Sequence, residues 1–125
     1  MKRIIYTDNA PAAVGPYSQA VEINGTLYIS GQIPIDPLTG KIVEGGIKEQ
    51  TEQVLKNIGA LLKAAGYEVS DVVKSTCLLA DMADFKPMNE VYASFYTSQQ
   101  PARAAFAVRD LPLGAMIEIE TIAVK

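Results

Sequence analysis

Between Ile47 and Ala65 the apolar side chains return every three or four residues, and the rest of the chain has to be arranged around the stripe they form. Ile47, Thr51, Val54, Leu55, Ile58, Leu61, Leu62 and Ala65 fall on one side of a helix, which needs an apolar layer to lie against. Gly66 stands where a left-handed residue closes such a helix. Segments able to build the partner layer flank it on both sides. Val21–Ser30 alternates around Asn24-Gly25, a pair that suits a type I′ turn because both residues tolerate positive φ, and this predicts a β-hairpin. Lys2–Tyr6, Val72–Leu79, Arg103–Val108 and Ala115–Val124 are the other strand segments. Asp8–Pro16 is rich in turn residues, and Gly31–Gly46, with Pro34 and Pro37, reads as a long ordered loop. Asp84 is placed to cap a second helix that turns Phe85, Met88, Val91, Tyr92 and Phe95 inward. Pro87 falls in its first turn, where no intrahelical N–H is lost.

The element order is therefore β-β-β-α-β-α-β-β. It predicts an α+β fold, a two-layer sandwich of a mixed sheet of about six strands and two helices. With no repeat or linker, residues 1–125 are expected to form one domain. The last strand shows what the sheet's second face must do. Ile117, Ile119, Thr121 and Ala123 point one way; Met116, Glu118, Glu120, Ile122 and Val124 point the other. Neither set resembles a plain solvated surface, and two helices cover only one side. The second face is expected to meet another subunit.

Composition narrows the chemistry. The chain has no histidine, no tryptophan and one cysteine, so the usual zinc and transition-metal sites lack ligands. Ser-His and Cys-His pairs are excluded too, which leaves carboxylates, lysine, tyrosine or water for acid–base work. A net charge of −3 gives no electrostatic footprint for nucleic acid. The N-terminal run has no apolar signal core, and no apolar stretch approaches the roughly 20 residues of a membrane helix. A lone cysteine fits a reducing compartment, and a cytoplasmic protein is expected.

Four short constellations carry the candidate chemistry. Gly15-Pro16-Tyr17-Ser18-Gln19 is either a turn anchored by its tyrosine or part of a site. At Ser30-Gly31-Gln32 the glycine lets a ligand approach the backbone and offers an N–H to an anion; a bulge or strand end explains it equally well. Pro101-Ala102-Arg103 brings one of only three arginines against small and apolar residues. Its planar fork suits a carboxylate ligand or a structural ion pair. In Ile117-Glu118-Ile119-Glu120 both acids point the same way on an apolar strand, where desolvation and mutual repulsion raise a carboxyl pKa toward neutrality. Glu120 suits an interface ion pair at least as well. Asn89 reads as a helix amide serving a backbone bond, and Cys77 as a small core residue.

In this order the blocks resemble the Rid family, also described as the translation-inhibitor or perchloric-acid-soluble protein family. The likeness runs from Ala10-Pro11-Ala12-Ala13-Val14-Gly15-Pro16-Tyr17-Ser18-Gln19 through Ser30-Gly31-Gln32-Ile33-Pro34 and Gln50-Thr51 to Ala64-Ala65-Gly66. It continues in Ala80-Asp81-Met82-Ala83-Asp84-Phe85, Asn89-Glu90-Val91-Tyr92, Pro101-Ala102-Arg103 and Ile117-Glu118-Ile119-Glu120. The resemblance implies a chorismate-mutase-like homotrimer with sites in the clefts between subunits. It implies hydrolysis of 2-iminobutanoate and 2-iminopropanoate to 2-oxo acids and ammonia, with no cofactor and no metal. Arg103 would clamp the substrate carboxylate with help from the Gly31 backbone, and Glu118 would hold and activate the attacking water. Tyr17, Ser30 and Asn89 match the remaining polar site positions, with Glu120 as a possible second acid. Many members carry Ser-Cys directly after the arginine, where this chain has Ala104-Ala105, so thiol chemistry is not expected at that position. Rival readings are a small-carboxylate-binding regulatory trimer without turnover, a chorismate mutase, for which three arginines are thin, and an endoribonuclease, which an acidic chain without histidine is poorly equipped to be.

Overall fold

In a computed structural model covering residues 1–125, Asn24 and Gly25 take φ values of 50° and 79°. The hairpin expected there forms between β2 (Ala20–Ile23) and β3 (Thr26–Gln32). Around it lie β1 (Arg3–Ile5), β4 (Ile35–Asp36), β5 (Lys41–Ile42), α1 (Ile47–Ala65), β6 (Val72–Leu79), α2 (Phe85–Phe95), β7 (Ala102–Ala107) and β8 (Ile117–Val124). Six strands make one mixed sheet in the order β1-β2-β3-β8-β6-β7, with β6 and β7 parallel and every other pair antiparallel. The α+β sandwich of a six-stranded sheet and two helices is therefore as expected.

One face of the sheet makes the core. Leu27 and Ile29 of β3, Ile117, Ile119 and Ala123 of β8, and Cys77 and Leu79 of β6 are buried against Val54, Leu55, Ile58, Leu61 and Leu62 of α1. Truncating one of these leucines to alanine costs about 2–5 kcal/mol through lost burial and the cavity left behind. Gly66, at φ 83°, closes α1 and returns its N–H to the Lys63 carbonyl. Met88 and Tyr92 are the buried face of α2, with Phe85, Val91 and Phe95 partly buried beside them. The opposite sheet face has no helix over it and presents Ile4, Ile23, Tyr28, Phe106 and Val124 largely exposed. No helix is long and apolar enough to cross a membrane.

Three local expectations are corrected. The Gly31–Gly46 segment includes the end of β3 and a small hairpin pairing Ile35 with Ile42 and Asp36 with Lys41; strands of two residues are too short to show alternation. Asp84 does not cap α2 with its side chain. Asp81 accepts the Ala83 N–H at 2.9 Å instead, starting a single 3₁₀ turn that leads into the helix. The final strand starts at Ile117 rather than Ala115, because Pro112–Gly114 forms a turn with Leu113 at φ 57°.

Candidate active site

The sheet register divides the predicted site residues into two groups. On β8, Glu118 pairs with Leu78, which pairs with Phe106, and all three side chains lie on the open face. Thr121 pairs with Ser75, which pairs with Arg103, and these lie on the helix face. Arg103 and Glu118 of one chain are thus on opposite sides of the sheet. No side-chain rotation brings them together.

Glu118 belongs to a cleft of about 640 Å³. Tyr17, Ser30, Gly31 and Glu118 line it, together with Pro11, Val14, Ile33, Ile35 and Leu113. Between Ile29 and Gln32 the pairing of β3 with β8 slips by one residue, so Ser30 and Gly31 form a bulge. The bulge reading of this segment is therefore correct. A Cβ on Gly31 would lie 2.0 Å from Oε2 of Glu118, so only glycine lets the carboxylate settle on the strand. Burial is the main force raising the Glu118 pKa above the usual carboxylate range, and the Glu120 charge adds to it. Glu120 itself is exposed on the open face, in register with Thr76. Ser30 Oγ donates to the Ser18 carbonyl at 2.6 Å, which leaves the hydroxyl oxygen able to act as an acceptor. Tyr17 is half exposed at the rim, its hydroxyl accepting weakly from the Val14 N–H at 3.4 Å.

The second group is built on α2 and β7. The Arg103 guanidinium lies 4.7 Å from the centre of the Tyr92 ring and 5.4 Å from that of Phe85. Its Nη1 donates to Asn89 Oδ1 at 2.7 Å. This corrects the expectation for Asn89, which is exposed and serves the guanidinium rather than a backbone bond. The chain's two ion pairs are Arg3–Glu22 and Lys48–Glu90, so the structural salt bridge considered for Arg103 is absent. Most of its N–H donors remain available in a half-buried setting, which favours a carboxylate ligand. Cys77 is fully buried, and burial pushes its thiol up to about 11, as befits a core residue. No cluster of potential metal ligands exists anywhere in the chain.

A family model described as Endoribonuclease L-PSP matches residues 7–125. The chain also superposes on a solved protein of the conserved Rid family from Yersinia pestis with a TM-score of 0.97, at 48% identity and covering 100% of both chains. The chain belongs to the Rid family. A RutC family protein of Pyrococcus horikoshii is 57% identical over 125 residues, covering 100% of this chain and 99% of the relative. A mouse relative named 2-iminobutanoate/2-iminopropanoate deaminase is 52% identical, covering 100% of this chain and 93% of its own.

Three buried amides that anchor the walls of this Rid cleft escaped the sequence reading. Gln19 Nε2 donates to the carbonyls of Thr7, Ala10 and Pro11, at 3.0, 3.3 and 2.9 Å, fixing the N-terminal wall. Asn57 Nδ2 donates to Ile33 O at 3.3 Å and Ile35 O at 3.0 Å. Gln50 Oε1 accepts from the Met116 N–H at 2.8 Å, just ahead of Glu118. A signal existed for two of them: Gln50, Val54, Asn57 and Leu61 follow the same three-to-four spacing as the apolar stripe.

Proposed function

We propose that this protein hydrolyses short 2-imino acids, 2-iminobutanoate and 2-iminopropanoate, and through them their enamine tautomers, to 2-oxo acids and ammonia. Residues 1–125 act as one Rid-family domain assembled as a homotrimer. The observation that carries the reading is the complementary pair of half-sites. One is a desolvated carboxylate resting on a glycine, the other an unpaired guanidinium, and they face opposite sides of the same sheet. The open face supports association, since no helix covers it and Ile4, Ile23, Tyr28, Phe106 and Val124 stand exposed there around Glu120. Joining the Arg103–Asn89 side of one subunit to the Tyr17–Ser30–Gly31–Glu118 cleft of the next completes a site. The name of the mouse relative supports the substrate class. The acidic chain lacks histidine, which weighs against the endoribonuclease reading. A buried, unpaired Cys77 suits a cytoplasmic setting.

The mechanism needs only these groups. Arg103 grips the substrate carboxylate, assisted by the Gly31 backbone, and so fixes C2 in front of Glu118. Glu118 takes a proton from a water as its oxygen bonds to C2 of the imine. That proton passes to nitrogen to give a tetrahedral carbinolamine; Glu118 then relays the hydroxyl proton to the amino group as the C–N bond breaks, so that ammonia leaves and the C2 carbonyl forms. A carboxylate with a raised pKa accepts and returns that proton more evenly than an ordinary one.

The test generates 2-imino acids in place with an amino-acid oxidase and follows their decay and ammonia release. Acceleration by the wild type, abolished in Arg103→Ala and strongly reduced in Glu118→Gln, is the expected result. Undiminished activity in Arg103→Ala overturns the clamp. A Glu118→Gln variant that still binds a 2-oxo acid but no longer turns over excludes the non-catalytic binding trimer.

A further inference from the structure

Arg103 is held entirely by neutral groups. The Tyr92 ring lies 4.7 Å from its guanidinium carbon, the Phe85 ring 5.4 Å away, and Asn89 Oδ1 accepts one N–H at 2.7 Å. A carboxylate partner would order the side chain as well, but would occupy the fork that a ligand needs. An aromatic face attracts the cation without using any of its five N–H donors. We propose that Tyr92 is a positioning residue, its ring forming the platform that orients Arg103 to receive a substrate carboxylate. This deepens the reading of Arg103 as the clamp and rests on it.

The platform is itself rigid. Tyr92 is buried, its ring tilted at 46° against Tyr96 with centroids 4.7 Å apart. Tyr96 meets Phe95 edge-on, at 4.8 Å and 86°. The Tyr92 hydroxyl points into the core beside Ser75, the β6 residue in register with Arg103. Cation and platform therefore take their positions from the same strand pair. Burial raises the Tyr92 pKa, so the ring stays a neutral phenol and does not become a competing anion.

The hydroxyl end lies away from the guanidinium, in a buried cluster with the hydroxyls of Ser75, Tyr96 and Thr121. Ring and hydroxyl of Tyr92 therefore face different neighbours, and substitution can separate them.

Two variants of the 125-residue chain separate ring from hydroxyl. Tyr92→Phe keeps the platform, and KM, kcat and pyruvate affinity are expected to stay within about twofold of wild type. Tyr92→Leu removes it; KM and the Kd for pyruvate are expected to rise about tenfold, with kcat changed far less. A folded Tyr92→Leu protein with wild-type KM and Kd overturns the proposal. So does a Tyr92→Phe variant as impaired as Tyr92→Leu.

A measurement on the wild type covers a Tyr92→Leu chain that does not fold. The Arg103 Nε–H resonance, assigned by its loss in Arg103→Lys, is expected upfield of those of Arg3 and Arg109 because of the ring current. No upfield shift overturns the platform, whatever the enzyme does. An upfield shift in a protein that binds pyruvate but hydrolyses no imine leaves the platform standing and removes the proposed function instead.

Discussion

The C-terminal end of α1 and the sheet edge carrying Arg103 hold similar groups and treat them in opposite ways. At the end of α1, Arg3 donates to the Ala65 carbonyl at 2.9 Å and to Glu22 at 3.0 Å. The Tyr67 hydroxyl donates to the other Glu22 oxygen at 2.7 Å. Lys125 Nζ donates to the Gly66 carbonyl at 2.7 Å and lies 4.8 Å over the Tyr67 ring. Two cations thus meet the negative pole of the helix while a carboxylate balances them. Across the molecule, Arg103 has no carboxylate and Glu118 no cation. The difference separates charges that are paired at the end of the helix from charges that no ion pair of this chain neutralises. Removing a charge of the first kind should cost stability; removing one of the second should cost activity.

The largest contrast is expected at the two arginines. Arg103→Ala should lower kcat/KM for imine hydrolysis by about a thousandfold with Tm little changed, whereas Arg3→Ala should lower Tm and leave kinetics alone. Paired calorimetry and oxidase-coupled assays decide it, and matching losses in both variants would erase the distinction. Glu118→Gln should reduce kcat by about 10²–10⁴ and at the same time raise Tm at neutral pH. The sign follows from linkage. A carboxyl whose folded pKa is raised destabilises the fold as pH climbs from its unfolded pKa through the folded one. The stability gain in Glu118→Gln should therefore vanish under acid conditions, where the wild-type group is protonated in both states.

Gly31→Ala is expected to lower kcat by about 10–100-fold, since the added methyl lands 2.0 Å from the Glu118 carboxylate and must displace it. Glu120→Gln should act more gently. Removing that neighbouring charge lowers the Glu118 pKa, so the acid limb of the kcat/KM profile should move to lower pH with its plateau unchanged. Smallest is Glu22→Gln. Its carboxyl is held below the ordinary range first by the Arg3 hydrogen bond and then by that from Tyr67. Its contribution is present at neutral pH and fades as pH falls through the folded pKa. Wild type and variant melting curves should converge in acid.

Local pattern carried much of the architecture. The boundaries Ile47–Ala65 and Val72–Leu79 follow from spacing and from β-branched content, and the Asn24-Gly25 hairpin from turn chemistry. The candidate site residues were legible for the same reason: an arginine on an apolar strand and an acid on another stand out locally. What stayed hidden was long-range. That Arg103 and Glu118 fall on opposite faces depends on the register of β7 against β6 and of β6 against β8, which no window of sequence contains. The hydrogen bonds of Asn57 to Ile33 and Ile35 span 24 and 22 residues and were invisible for the same reason.

Cys77 has a practical corollary. It is the only thiol, it has no exposed surface, and burial holds it protonated far above neutral pH. Ala104 and Ala105, not cysteines, follow Arg103, so thiol-directed alkylating reagents should find no target on the native protein. Labelling of Cys77 then reports opening of the core and nothing else, which makes a pulse of iodoacetamide a built-in clock for how often this sheet comes away from its helices.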